Sequence, residues 1–336
     1  MNRDQLPALA IVVPCYNEEE VLSETITQLT KVLTDLIEKG RVHARSRLVF
    51  VDDGSEDRTW SLIAMASVKN SLVTGVKLAR NVGHQNALLA GLETVRAMDC
   101  AITIDADLQD DILAIYKFID KFHEGYDIVY GVRRDRSVDS RFKRYSAISF
   151  YRLLNKLGVP VIENHADFRL LSQRAMKELF RFQEAHIFLR GIIPHIGLPS
   201  TKVYYDRKVR LKGETKYPLK KMLALAMNGI TSFSIMPIRL IALFGGLLLF
   251  LGLAVTGFAL IQHSFDRLFL LFLSLSFISG LQFIALGIIG EYIGKMFFEL
   301  KARPKYTVEI DLFTKPMLPE VDKNLSEDGL DFTDER

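Results

Sequence analysis

Cysteine is scarce here. The 336 residues hold two, Cys15 and Cys100, and both sit in apolar strand-like runs. Two buried thiols in a reduced cytosolic domain fit that usage, and a disulfide framework does not. The start, "MNRDQLPALAIVVP", has an apolar run too short for a secretory signal, and Pro14 ends it. A nucleotidyltransferase would show a glycine-rich phosphate loop early in the chain, and "PCYNEEE" (14–20) is not one. There is no internal repeat. Most telling, two long stretches lack ionisable side chains altogether: 241–261, "IALFGGLLLFLGLAVTGFALI", and 268–290, "LFLLFLSLSFISGLQFIALGIIG".

Those stretches account for much of the 49% hydrophobic content and the mean hydropathy of +0.15. Each has the roughly 20 apolar residues that a helix needs to cross a bilayer. Separated only by "QHSFDR", they read as a transmembrane hairpin, with a pair of buried core helices as the alternative. Arg239 precedes the first run, and Lys295, Lys301, Arg303 and Lys305 follow the second, whereas the short loop has only His263 and Arg267. The positive-inside bias places both termini in the cytoplasm, in a multi-pass protein of the plasma or inner membrane. Gly245, Gly246, Gly252 and Gly257 give the first run small faces for helix packing, so a homo-oligomer is expected.

The first part of the chain alternates strand and helix signals. Short β-branched runs occur at 8–14, 47–53, 72–78, 101–107 and 127–133. Between the first two, Val21, Ile26, Leu29, Val32 and Leu36 recur at helical spacing. The next helix begins at "GSEDRT", with Ser55 placed to cap it and Glu56 and Asp57 at its positive end. Such alternation predicts an α/β fold with a mostly parallel sheet covered on both faces, and ligands bind beyond the carboxyl ends of such strands. Asp52, Asp53, Asp105 and Asp107 all fall there.

In an extended chain, alternate residues point the same way. Asp105 and Asp107, in "DADLQDD", therefore suit one hard cation, since Mg²⁺ uses one or two carboxylates plus substrate phosphates. The bland alternative is a solvated turn, and Asp110 or Asp111 is read as the cap of the helix that follows. Residues 134–158 pair a basic face with Phe142, Tyr145, Ile148, Tyr151 and Leu154, as in an interfacial amphipathic helix or an ordinary surface helix. A second basic stretch, 202–222, precedes the first apolar run and suits anionic headgroups or a phosphorylated ligand. The tail from Glu320 is acidic, poor in aliphatics and read as disordered.

"VVPCYNEE" (12–19), "VDDGSEDRT" (51–59), "LARNVGHQNALLAGL" (78–92) and "DADLQDD" (105–111) resemble, in that order, the family-2 glycosyltransferases with the GT-A fold. The resemblance is closest to the polyisoprenyl-phosphate sugar transferases. It continues through "ADFRLLSQRA" (166–175), "FLRGI" (188–192) and "RKVRLKGETKYPLKKM" (207–222), then the two-helix anchor, and stops short of the acidic tail. It implies a cytoplasmic GT-A domain over 1–218, a juxtamembrane helix over 219–237, two transmembrane helices within 238–295 and a partly disordered tail over 296–336.

It implies roles as well. Pro14, Tyr16, Glu18 and Asp53 hold the base and ribose, with Asp52 as the alternative carboxylate. Arg80, Asn81 and Gln85 shape the nucleotide pocket, and Asp105 and Asp107 hold Mg²⁺ or Mn²⁺ on the diphosphate. Gln109 reaches the sugar. Asp167 matches the position of a catalytic base; a phosphate acceptor needs little deprotonation, so the alternative is that it positions Arg169 or the sugar. Arg133, Arg207, Arg210 and Lys216 are the candidate cations for the attacking phosphate, and Gly213 and Thr215 suggest a mobile loop beside them. The implied reaction is an inverting hexose transfer from a nucleotide sugar to a polyprenyl phosphate at the bilayer, for modification of a cell-envelope glycan. UDP-glucose is favoured as donor over a UDP-N-acetylhexosamine or GDP-mannose, and no nucleic-acid partner is expected. A processive synthase would carry Q-x-x-R-W and more spans, and the single tryptophan is Trp60. An inactive membrane scaffold would show eroded motifs, and none is eroded.

Overall fold

The computed structural model describes residues 6–134, 165–184, 188–206 and 267–314, with scattered positions between 238 and 254. They fall into two compact units, Met1–Ala106 with Tyr306–Arg336, and Asp107–Lys305.

The first unit is built on β1 (Leu9–Cys15), β2 (Arg47–Asp52), β3 (Val73–Leu78) and β4 (Cys100–Thr103). Its spatial order is β4-β1-β2-β3, all parallel. Every residue of β1 is buried, as expected for a parallel strand covered on both faces. The covering helices are α1 (Leu22–Glu38), α2 (Thr59–Lys69) and α3 (His84–Thr94). α1 buries Leu22, Thr25, Leu29, Val32, Leu33 and Leu36; Ile26, counted in the sequence stripe, is only half-buried. α3 lies close against β1 and β2 at Gly91, where an added Cβ would come 2.4 Å from Val12 Cγ1 and 2.7 Å from Val51 Cγ2. From β1 the chain runs outward to β2 and β3, then returns to place β4 on the other side of β1. That reversal opens a crevice beyond the carboxyl ends of β1 and β4, where such sheets bind ligands.

The second unit orders its strands β7-β5-β6, from β5 (Ile128–Arg133), β6 (His165–Ser172) and β7 (Ser200–Tyr205). β5 is parallel to β7 and antiparallel to β6. α4 (Ala114–His123) covers these strands with Ile115, Phe118, Ile119 and Phe122. Phe168 meets Phe118 at 4.6 Å and Tyr205 at 5.4 Å between ring centroids. α5 (Gln173–Leu179) is capped by Ser172, whose hydroxyl accepts from the Ala175 N–H and donates to Asp127. α6 (Leu189–His195) and the 35-residue α7 (Arg267–Lys301) complete the described helices of this unit.

Among the described residues, one helix is long and apolar enough to cross a membrane: Phe277–Lys301 within α7, with none of its apolar window buried. The second predicted span, 268–290, lies within α7, and the helix continues past it because Glu291, Lys295, Glu299 and Lys301 end the apolar run but not the backbone pattern. Of the first span, Ile241, Leu243, Gly245, Leu247, Phe250, Leu251 and Ala254 are helical. The rest of that span, the helices predicted over 134–158 (from residue 135 on) and 219–237, and the acidic tail lie outside the described residues.

Several local expectations are corrected. β4 ends at Thr103, not Asp107; Ile104 and Ala106 stay buried without extending the strand, and the Ile104 N–H still donates to Val12 O. Ser55 does not cap α2, which begins at Thr59; its hydroxyl accepts from the Asn17 N–H instead. Asp110 does not start α4: it is buried in an ion pair, and Asp111 alone serves the turn before the helix. Residues 308–311, inside the region read as tail, form β8 (Val308–Asp311), antiparallel to β3. Tyr306, Val308, Ile310 and Leu312 alternate as a strand requires.

Gly91→Ala is expected to destabilise the protein by about 1–3 kcal/mol, because two β-branched strand residues must yield to one methyl group. Thermal unfolding of the purified full chain measures this, and an unchanged Tm would show that α3 can lift off the sheet without cost.

Candidate active site

Loops beyond β1, β2 and β3 are tied to one another in the first unit. Asn17 adopts a left-handed backbone, φ 52°. Its N–H donates to Ser55 Oγ at 3.0 Å, and its Oδ1 accepts from the Glu56 N–H at 2.9 Å. The Glu18 N–H donates to Thr59 Oγ1, and the Glu19 N–H to Asp57 Oδ2. Burial pushes the Asp57 carboxyl up, but hydrogen bonds from Thr59 and Glu19 outweigh it and hold it below the usual range. Asp53 is buried, and its two oxygens accept from the Val82 and Gly83 N–H groups at 2.8 and 2.9 Å. Burial still raises its pKa, and that of Asp52 beside it. Gly54, φ 65°, lets the backbone of Arg80 and Asn81 pass where a Cβ would sit 2.6 Å away. The loop at 79–83 is thereby clamped by the loop after β2.

These ties bring the predicted nucleotide residues of this unit to one end of one sheet. Pro14 and Asp52 are buried in the strand ends, Tyr16, Arg80 and Asn81 are exposed on the loops, and Glu18 is half-buried. Gln85 lies in the first turn of α3, and Asp105 follows β4. Sequence reasoning assigned no role to His84, which opens α3 and brings Nε2 within 3.4 Å of Asp105 Oδ1. Its place directly after Gly83 in a quoted motif was the available signal. Both cysteines are free and buried, and burial pushes their thiols up, which makes them inert as nucleophiles.

In the second unit Asp107 Oδ1 accepts from the Gln109 N–H at 3.2 Å, across Leu108 in a left-handed conformation. Gln109 is buried. Three residues beyond Asp107, Asp110 Oδ1 accepts from Arg133 Nε and Nη2 at 3.1 and 3.0 Å, and from the Tyr205 hydroxyl at 2.7 Å. The Arg133 pKa is raised: burial opposes this, but Asp110 and Tyr205 prevail. A separate cluster joins Asp167 to two guanidinium groups. Arg169, 1% exposed, meets Oδ1; Arg190 reaches Oδ1 with Nε at 3.2 Å and Oδ2 with Nη2 at 2.9 Å. Burial pushes the nearby Tyr130 hydroxyl up to about 12, against the lowering effect of Arg169. Arg190 was missed as a site residue, although it lies in the quoted "FLRGI". Arg207, Arg210, Thr215 and Lys216 lie outside the described residues.

Residues 10–180 match the Glycosyl transferase family 2 domain. The chain belongs to this family and is a glycosyltransferase, with an α/β mixed-sheet fold of the GT-A kind. It is 56% identical over 319 residues to the uncharacterized glycosyltransferase YkoT of Bacillus subtilis (strain 168), covering 93% of this chain and 94% of that one. It is 37% identical over 317 residues to the bactoprenol glucosyl transferase of Shigella phage SfII, covering 90% and 97%. Its fold is also similar to that of glucosyl-3-phosphoglycerate synthase from Mycobacterium tuberculosis, with a TM-score of 0.47 and 19% identity over 68% of this chain and 79% of that one.

Asp53→Asn is expected to cost about 1–3 kcal/mol, because the amide must turn its NH₂ toward one of two backbone donors and leave a partly buried N–H unpaired. Denaturant unfolding checks this. Wild-type stability in the variant would show that the two N–H bonds do not hold the loop.

Proposed function

We propose that the protein transfers a hexose, glucose in the first instance, from a UDP-sugar to a polyprenyl phosphate, with inversion at the anomeric carbon. The observation that carries this reading is a set of strand-end carboxylates and tied loops, in the fold of a family-2 glycosyltransferase, on a chain that also has an unburied apolar helix, Phe277–Lys301. The name of the Shigella phage relative supports glucose and a polyprenol acceptor. A polyprenyl chain cannot leave the bilayer, so the catalytic domain must work at its surface. In this reading the apolar segments cross the plasma or inner membrane, with both termini and the catalytic domain in the cytoplasm.

Asp105 and Asp107 supply hard oxygen donors, and no cluster of three or more His, Cys, Asp or Glu able to hold a metal ion occurs among the described residues. Two carboxylates fit a Mg²⁺ or Mn²⁺ ion that completes its coordination with phosphate oxygens; they do not make a closed structural site. Such an ion, when bound, would offset the charge that grows on the departing diphosphate. The chain's own residues orient the partners. Tyr16, Glu18 and the 79–85 segment hold the nucleotide. Asp53 keeps the 79–83 loop in place through Val82 and Gly83, which leaves Asp52 as the carboxylate for the base.

A non-bridging oxygen of the acceptor phosphate forms the new bond to the anomeric carbon. The bond from that carbon to the nucleotide diphosphate breaks, and its electron pair leaves with the diphosphate. No proton has to move, since a phosphate monoester has a second pKa of about 6 and is ionised at neutral pH. The two guanidinium groups on Asp167 support a positioning role for this carboxylate over that of a general base. Arg133, Arg207, Arg210 and Lys216 are the cations proposed to hold the attacking phosphate.

Membranes containing the protein should transfer radiolabelled glucose from UDP-glucose to added undecaprenyl phosphate, and excess EDTA should abolish the transfer. Full activity in EDTA would remove the metal from the account. A preference for GDP-mannose or UDP-N-acetylglucosamine in the same assay would change the donor but not the acceptor. Asp107→Asn should lower turnover by about 10²-fold or more with the Tm unchanged, in line with the loss of a group that stabilises developing charge. A near-normal rate would make the Asp105–Asp107 pair structural.

A further inference from the structure

Asp110 is a carboxylate that the reaction above does not use. Its side chain is 2% exposed, and a buried charge is costly unless it is paired and hydrogen-bonded. One oxygen meets that need with three donors, Arg133 Nε, Arg133 Nη2 and the Tyr205 hydroxyl. The donors are not placed independently. Arg133 and Tyr205 are register partners at the carboxyl ends of the parallel strands β5 and β7, and the Arg134 N–H donates to Tyr205 O just beyond them. Gly131 lets the strands and rings beneath close up, since a Cβ there would lie 2.6 Å from Phe168 O and 3.0 Å from the Tyr205 ring.

The loop that delivers Asp110 is itself fixed. It carries Asp107 three residues earlier, with the Asp107 to Gln109 turn and the left-handed Leu108 between them. One end is thus a candidate metal ligand and the other is locked to two strand ends. Arg133 is held along its Nε–Nη2 edge, stays 24% exposed, and its Nη1 has no part in these bonds. Guanidinium groups recognise phosphate through such planar edges.

We propose that Asp110 is a positioning residue that couples the two substrates: it anchors the loop carrying Asp107 on the donor side, and it orients Arg133 for the acceptor phosphate. The inference rests on the donor and acceptor reading above. The Tyr205 hydroxyl trims the geometry by holding the same carboxylate oxygen.

The test uses the full-length protein in detergent or nanodiscs, with Asp110→Asn and Tyr205→Phe. Two readouts are taken: Mn²⁺ binding in the presence of UDP, followed by the electron spin resonance of free Mn²⁺, and the KM for undecaprenyl phosphate. Asp110→Asn should weaken Mn²⁺ binding and raise the acceptor KM, each by about tenfold, the scale seen when a residue that orients a metal ligand is lost. Tyr205→Phe keeps the ion pair and should move both readouts the same way by less. It also carries the test alone if Asp110→Asn does not fold. A fall in Tm with both readouts unchanged would make Asp110 merely structural and overturn the proposal, as would a shift in only one of them. If wild-type protein bound no Mn²⁺ with UDP, or transferred nothing to undecaprenyl phosphate, the donor or acceptor reading would fall first.

Discussion

The buried carboxylate of Asp53, accepting from the Val82 and Gly83 N–H groups, is the interaction on which the proposed donor site depends. Backbone N–H groups at a loop need partners when buried, and here one side chain satisfies two of them. The 79–83 loop is thereby held against the loop after β2, with Gly54 giving the room for close approach. Arg80, Asn81, His84 and Gln85 take their places from that clamp. The parallel sheet supplies the crevice; the clamp decides what faces it.

The second unit uses the same physics with opposite charges. There, guanidinium groups meet the buried carboxylate of Asp110 and the half-buried carboxylate of Asp167, where the buried partner is Arg169. Removing one partner from such a pair leaves an uncompensated buried charge, which costs far more than the pair itself contributes. These ion pairs are therefore better understood as fixing geometry than as adding stability. The inverting displacement proposed above, with no proton transfer, asks for that, because the rate of such a step depends on alignment and on charge placed in advance.

Much of the first unit was legible in the sequence because β1, β2 and β4 are apolar runs, β2 and β4 lead into acids, and α1 repeats at helical spacing. The misreadings share a cause. Ser55 and Asp110 sit where local rules expect helix caps, but their partners lie 38, 23 and 95 residues away, at Asn17, Arg133 and Tyr205. Local pattern cannot weigh a long-range hydrogen bond against a cap. β4 was read four residues too long because burial of Ile104 and Ala106 continues after the strand ends. β8 was overlooked behind the apolar helix, although its alternation was present. The Asp167–Arg169 pairing was read from the sequence, but the second guanidinium, Arg190, needed the fold, since β6 and α6 bring together residues that the chain separates by 23 positions.

The central claim is that the tied loops at the carboxyl end of the parallel sheet hold the nucleotide sugar. Amide hydrogen exchange on the full chain in lipid nanodiscs, with and without UDP and Mn²⁺, tests it most directly. The account predicts added protection in residues 16–18, 52–57, 79–85 and the loop that begins at Asp105, with α4 and α6 unchanged. Protection that spared these loops, or that appeared instead on α4 or α6, would contradict it.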